Sequence, residues 1–187
     1  MTLFEYLAIF LSIVLSFGVI RLLDGMPSAL KQGRGYVIHS LWVISLLFVH
    51  VQFWWAFWPY STDVAWNFPR FLIVLAAPFV LYSLGSALVP GDHDAVESWR
   101  DHFYRVRTRF FVLYACFWVV VGLANLFVLG QPFLNVLRLF QMTFIVLYGI
   151  GAVSKRPSFH AFLVAVNVVT IVFSVAFLFL DPAPLTP

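Results

Sequence analysis

One cysteine in 187 residues, Cys116, rules out an internal disulfide and any multi-thiol metal site. Charge is nearly as scarce. Asp, Glu, Lys and Arg make up 10% of the chain and leave a formal net charge of +3, too little to favour nucleic acid as a partner. No nucleophile motif, phosphate loop or zinc-protease motif is present. Asp92, His93 and Asp94 with His102 match no strong ligand spacing, so the sequence predicts no catalytic set, no metal and no cofactor. What fills the chain is apolar: 63% hydrophobic residues and a mean hydropathy of +0.96 exceed what a soluble domain of this length could cover.

The apolar residues fall into six blocks, each near the ~20 residues a helix needs to cross the hydrocarbon core. The sequence therefore predicts an all-α membrane protein, a single bundle over 1–180 with spans at about 3–23, 36–58, 70–89, 110–130, 133–153 and 159–180, and a disordered, proline-rich tail at 181–187. The first block has no basic region before it and no small-residue cleavage site, so it is expected to span rather than to be removed. Of the eleven basic residues, Arg21, Lys31, Arg34, Arg100, Arg105, Arg107, Arg109, Lys155 and Arg156 fall on one side, leaving only Arg70 and Arg138 elsewhere. That imbalance places the basic side in the cytoplasm, in a bacterium at the inner membrane, with both termini outside. Trp54, Trp55, Trp58, Tyr60 and Trp66 should form the outer aromatic belt.

Between the third and fourth spans, Val96, Trp99, Phe103, Val106 and Phe110 recur at spacings of three and four. They predict an interfacial amphipathic helix over about 94–109, opened by Asp94 and Glu97 at capping-box spacing. Arg105, Arg107 and Arg109 along it would reach lipid phosphates. Pro78 should kink the third span, and Gln131 with Pro132 make so short a link that the fourth and fifth spans must be antiparallel neighbours.

At about 100° per residue, polar and small residues align into stripes. Glu5, Ala8, Ser12 and Ser16 share one in the first span; Tyr114, Trp118, Gly122 and Asn125 one in the fourth; Asn135, Arg138 and Gln141 one in the fifth; His160, Asn167, Thr170 and Ser174 one in the sixth. In the second, His39 and His50 share a face and Ser45 and Gln52 another. Helix packing explains the serines and glycines. It explains less well Glu5, His50, Gln52, Asn125, Asn135, Arg138 and Gln141, which are predicted to line a polar pocket open to the outside. Arg138 is its centre, because an intramembrane cation costs several kcal/mol unless something answers it, and Glu5 is the expected partner. His39 and His160 are the one pair placed to share a haem, but interfacial histidines are the ordinary reading. The odd-numbered spans share a Val-Leu-centred pattern, a weak internal similarity that apolar sequence also produces by chance.

Phe4-Glu5-Tyr6, His39-Ser40-Leu41-Trp42, Gln52-Phe53-Trp54-Trp55 and Trp99-Arg100-Asp101-His102-Phe103-Tyr104 resemble a group of small polytopic inner-membrane proteins of bacteria for which no activity is established. The resemblance covers roughly the first two thirds of the chain and implies membrane location alone.

Three functions follow from these readings. The first is binding or transport of a small solute, ion or proton in the outer pocket. The second is a non-catalytic structural or sensory subunit whose amphipathic cytoplasmic helix meets membrane lipids, a second copy or a membrane partner protein. The third, the least supported, is a haem or lipid-modifying enzyme.

Overall fold

The computed structural model describes residues 2–31, 33, 35–61 and 64–178. Arg34, the last two residues of the sixth predicted span and the 181–187 tail lie outside the described residues. Six helices carry the fold: α1 (Leu3–Ala29), α2 (Val37–Ala56), α3 (Phe68–Leu88), α4 (Trp99–Phe127), α5 (Val136–Val153) and α6 (Pro157–Phe173), with a 3-10 turn at Trp58–Ser61 and a π-helical turn at Ser174–Leu178. Each is long and apolar enough, with α6 extended through its π-helical turn, to cross a membrane. The chain is an all-α polytopic membrane protein.

The helices close into a ring in the order α1, α3, α4, α5, α6, α2, and α2 also touches α3 and α4. One end of the ring collects the C-termini of α1, α3 and α5 and the N-termini of α2, α4 and α6. The described residues among those predicted for the basic side, Arg21, Lys31, Arg100, Arg105, Arg107, Arg109, Lys155 and Arg156, belong to this end.

Helix starts follow local chemistry. Thr2 and Glu5 form a reciprocal capping box on α1, while Asn67, Ser98 and Asn135 each accept a backbone N–H three residues on, at α3, α4 and α5. Pro69 and Pro157 sit in first turns, where the absent N–H costs nothing.

Three differences from the sequence reading exceed two residues. First, α1 runs six residues past Leu23, through Pro27, to Ala29. The extra turns are held by packing: Gly25 lies so close to Val89 that a Cβ would collide with its Cγ1, and Ser28 and Ala29 are buried. Second, the amphipathic segment is helical only from Trp99, capped by Ser98 instead of by Asp94 with Glu97, and it is the first part of one continuous α4. Third, α4 and α5 are linked by residues 128–135, because Asn135 starts α5 late and Gly130, at φ 64°, turns the chain. The two helices do pack side by side.

Aromatic rings fill the middle. Trp42, wholly buried on α2, meets Phe110, Phe111 and Tyr114 of α4 and Tyr148 of α5 edge-on at 5.3 to 6.2 Å. Tyr114 and Tyr148 stack at 4.4 Å, and both hydroxyls donate to Asn167 Oδ1 of α6 at 3.0 Å. Lipid is as apolar as this core, so such packing and interhelical bonds hold the bundle together. Each ring pair contributes about 0.5–1.5 kcal/mol beyond its buried area. Outward, the surface is apolar, and Trp54, Trp55 and Trp58 are exposed as the belt requires. Tyr60 is not part of the belt: it is buried against Phe57 and Trp66, and burial pushes its phenol up to about 12.

Candidate functional site

Two polar regions lie at opposite ends of the bundle, and they are built differently. At the basic end, each of the three helices that finish there has one or two carbonyls of its last turn or cap taken up by side chains from helices that start there. Trp99 Nε1 of α4 donates to Ser28 O at 2.9 Å and Ser40 Oγ of α2 to Ala29 O at 3.1 Å, closing α1. His39 and His102, from α2 and α4, both donate through Nε2 to Leu88 O at 3.1 Å, closing α3. Thr108 donates to Ala152 O at 2.9 Å, Arg107 Nε to Ser154 O at 3.2 Å and His160 Nε2 to the same oxygen at 2.9 Å, closing α5. A helix leaves four carbonyls without internal partners, and inside a membrane protein something must answer them. Facing a carbonyl, each Nε2 carries the proton.

Rings seal this region. His39 stacks on Trp99 at 4.5 Å, His160 on Phe111 at 5.4 Å, and Phe103 stands edge-on to both histidines. The haem-pair idea meets this geometry directly, since each Nε2 is engaged by a carbonyl and a phenyl ring stands between the two histidines. Just outside the spans, burial and then the hydrogen bond to Tyr104 hold the Tyr36 phenol well above its ordinary range. Trp99 and Phe103, the apolar face of the amphipathic segment, are wholly buried inside the chain. Arg107 is half-buried and bonded to Tyr104 O and Ser154 O, so it is a structural tie; Arg105 and Arg109 are exposed. Two hollows open here, one lined by Ile150, Ser154, Arg156, Ser158 and Phe159, the other by the 90–98 segment with Asp101, His102 and Arg105.

The opposite end holds Arg138, third residue of α5 and only 7% exposed. Its Nη1 donates to Gly122 O of α4 at 2.8 Å and to Gln141 Oε1 at 2.7 Å. Both acceptors are neutral. Its Nε and Nη2 are buried with no hydrogen-bond partner among the described residues. Gly122 makes the approach possible, because a Cβ there would stand 2.9 Å from Nη1. Asn135 Oδ1 takes the Arg138 backbone N–H at 2.7 Å, which fixes this residue in the first turn of α5. A cation in a first turn sits at the positive end of the helix dipole, the reverse of the stabilising arrangement. Each buried, unanswered donor costs a further ~1–3 kcal/mol.

The seven predicted pocket residues do not converge. Asn135, Arg138 and Gln141 form one unit with Gly122, whose carbonyl the side-chain stripe did not reveal as an acceptor. Glu5 is exposed, its carboxylate accepts the Thr2 N–H at 2.8 Å, and the expected Glu5 to Arg138 hydrogen bond is not made. The reason is topological: α1 packs on α2 and α3, whereas α5 packs on α4 and α6. His50 is buried between α1 and α2, with Nδ1 donating to Leu46 O at 2.7 Å and Nε2 packed on Gly18 without a partner. Gln52 donates to Ile171 O of α6 at 3.2 Å. Asn125 is half-buried on α4, one turn beyond Gly122. Arg138 and Gln141 are closed over, so the pocket is not open toward the outside in this structure.

Among the described residues, no three His, Cys, Asp or Glu side chains gather as a metal site would require. No protein-family model, curated protein or solved structure matches the chain.

Proposed function

We propose that this is a multi-pass protein of a bacterial inner membrane, basic end in the cytoplasm and both termini outside, whose outer half binds a small anionic solute or ion at Arg138. Passage of that solute across the membrane would start from this site. The observation that carries the reading is the buried guanidinium with Nε and Nη2 unanswered. Its expense, set at the positive end of α5, is hard to account for by packing, since an apolar side chain of similar size would fill the space more cheaply. The alternative role, a structural or sensory subunit docking through the amphipathic segment, would need an apolar face that here is already covered by α1, α2 and α6.

Cysteine accessibility tests the proposal. In a Cys116→Ala background, Gln141→Cys and Asn125→Cys should react with a membrane-impermeant thiol reagent added from outside. Leu134→Cys, in the exposed α4–α5 connection, is the positive control. If the control labels and neither test position does, there is no outward route to the site.

A further inference from the structure

The way Arg138 is held points to the class of ligand. A guanidinium has two geometrically different sides. Nη1 lies on one, whereas the N–H of Nε and one N–H of Nη2 are parallel and form a two-pronged fork whose spacing matches the two oxygens of a carboxylate or phosphate. The protein spends Nη1 on Gly122 O and Gln141 Oε1. It leaves the whole fork buried and unpaired. The bridge between α4 and α5 is thus made by Nη1 alone, and the edge suited to a two-oxygen acceptor is left over.

Resting on the reading of Arg138 as a binding site, we infer that its ligand is an oxyanion, a carboxylate or a phosphate, taken side-on by Nε and Nη2. Gln141 and the Gly122 carbonyl act as positioning groups: they hold Nη1 and so aim the fork. Asn135 does the same for the backbone, pinning the first helical turn that carries Arg138. The dipole of α5 adds positive potential at the same spot, so the helix terminus and the guanidinium, each unfavourable to the other, both favour an anion between them. The fork is closed over here, and an occupant enters when the first turn of α5 moves outward from α4. That turn is fitted for such movement. Phe133, Leu134, Val136 and Leu137 around it are all more than half exposed, and it follows a connection of irregular structure containing Gly130 in the left-handed region.

Two sources could supply such an oxyanion, a water-soluble carboxylate or phosphate and the headgroup phosphate of a lipid. The test uses the full-length protein in nanodiscs of neutral zwitterionic lipid. Binding is read as protection of Asn125→Cys, one turn beyond Gly122 and not among the groups that hold Nη1, in the Cys116→Ala background, from the outside-added thiol reagent. Acetate and inorganic phosphate, titrated at constant ionic strength against chloride, should protect saturably, and chloride should not. Arg138→Lys, which keeps the charge and loses the fork, should weaken protection roughly tenfold or more. Because that variant can fail to fold, thermal stabilisation of the wild-type protein by acetate or phosphate over chloride is measured alongside. Protection that appears without added anion once phosphatidylglycerol replaces part of the neutral lipid assigns the lipid source.

Equal protection by chloride, or wild-type protection in folded Arg138→Lys, overturns the oxyanion assignment. So does a labelled Asn125→Cys that neither an oxyanion nor anionic lipid protects, although the outward-facing site itself then stands. If Gln141→Cys and Asn125→Cys never label while Leu134→Cys does, the site itself is wrong and the ligand class falls with it.

Discussion

The two ends of this bundle handle polar groups differently, although the basic end too leaves buried atoms without a partner, Arg21 Nε and Nδ1 of His39, His93 and His160. At the basic end, side chains from α2, α4 and α6 answer the terminal carbonyls of α1, α3 and α5, and rings of Trp99, Phe103 and Phe111 shut out water and lipid. At the other end, a guanidinium sits in the first turn of α5 with its stronger edge unused. Structure tends to satisfy polar groups locally, whereas function tolerates unsatisfied ones. The contrast predicts that substitutions at the basic end cost stability in proportion to what they uncover, and that the Arg138 region behaves differently.

The largest effect should come from Trp99→Ala. It removes a wholly buried indole, its bond to Ser28 O and its stack on His39, and should cost about 3–5 kcal/mol in reversible unfolding in detergent micelles. A loss below 1 kcal/mol would mean that the basic end is not what holds α1 to α4.

Next come the glycines, one at each end. Gly25→Ala drives a methyl into Val89, and Gly122→Ala pushes Arg138 Nη1 off its carbonyl; each should cost about 1–3 kcal/mol by the same measurement. Only Gly122→Ala should also alter anion binding. Equal effects on binding would erase the distinction between the ends.

His39 and His102 share one acceptor, so their loss should not be additive. Either single His→Phe change leaves Leu88 O paired and should cost under about 1 kcal/mol; the double change leaves it with neither donor and should cost about 1–3 kcal/mol. A double-mutant cycle checks this, and simple additivity would show that the two bonds are not alternatives.

The smallest effects separate the arginines of α4. Arg107→Gln breaks the tie to Ser154 O and should cost about 1 kcal/mol. Arg105→Gln and Arg109→Gln, exposed beside it, should leave unfolding unchanged and lower the affinity for vesicles of anionic lipid.

Much of the fold was readable from hydropathy alone, because six apolar blocks admit few alternatives. The boundaries that moved did so for tertiary reasons invisible in a window of sequence. The apolar run stops at Leu23, yet Gly25 against Val89 and Trp99 on Ser28 O keep α1 helical through Pro27. The periodicity of Trp99, Phe103 and Phe110 correctly marked one buried face, but not that the chain would bury it in itself. At the candidate site, Asn135, Arg138 and Gln141 share a helical stripe and could be grouped by spacing. Glu5 could not be excluded that way, since whether α1 touches α5 is a matter of ring order, which spacing within a helix does not encode. Nor could the stripe reveal that the Gly122 backbone, not a side chain, supplies the facing acceptor.

The most direct measurement is the stability of the double variant Arg138→Met with Gln141→Leu. It removes the buried charge and its buried side-chain acceptor together, so no new orphan is left behind. If this guanidinium is kept for binding at a cost to the fold, the double variant should be as stable as the wild type or more stable by about 1–4 kcal/mol, while losing anion protection. If it is instead destabilised by several kcal/mol, as Trp99→Ala should be, then Arg138 is one more structural tie and the two ends of the bundle do not differ in kind.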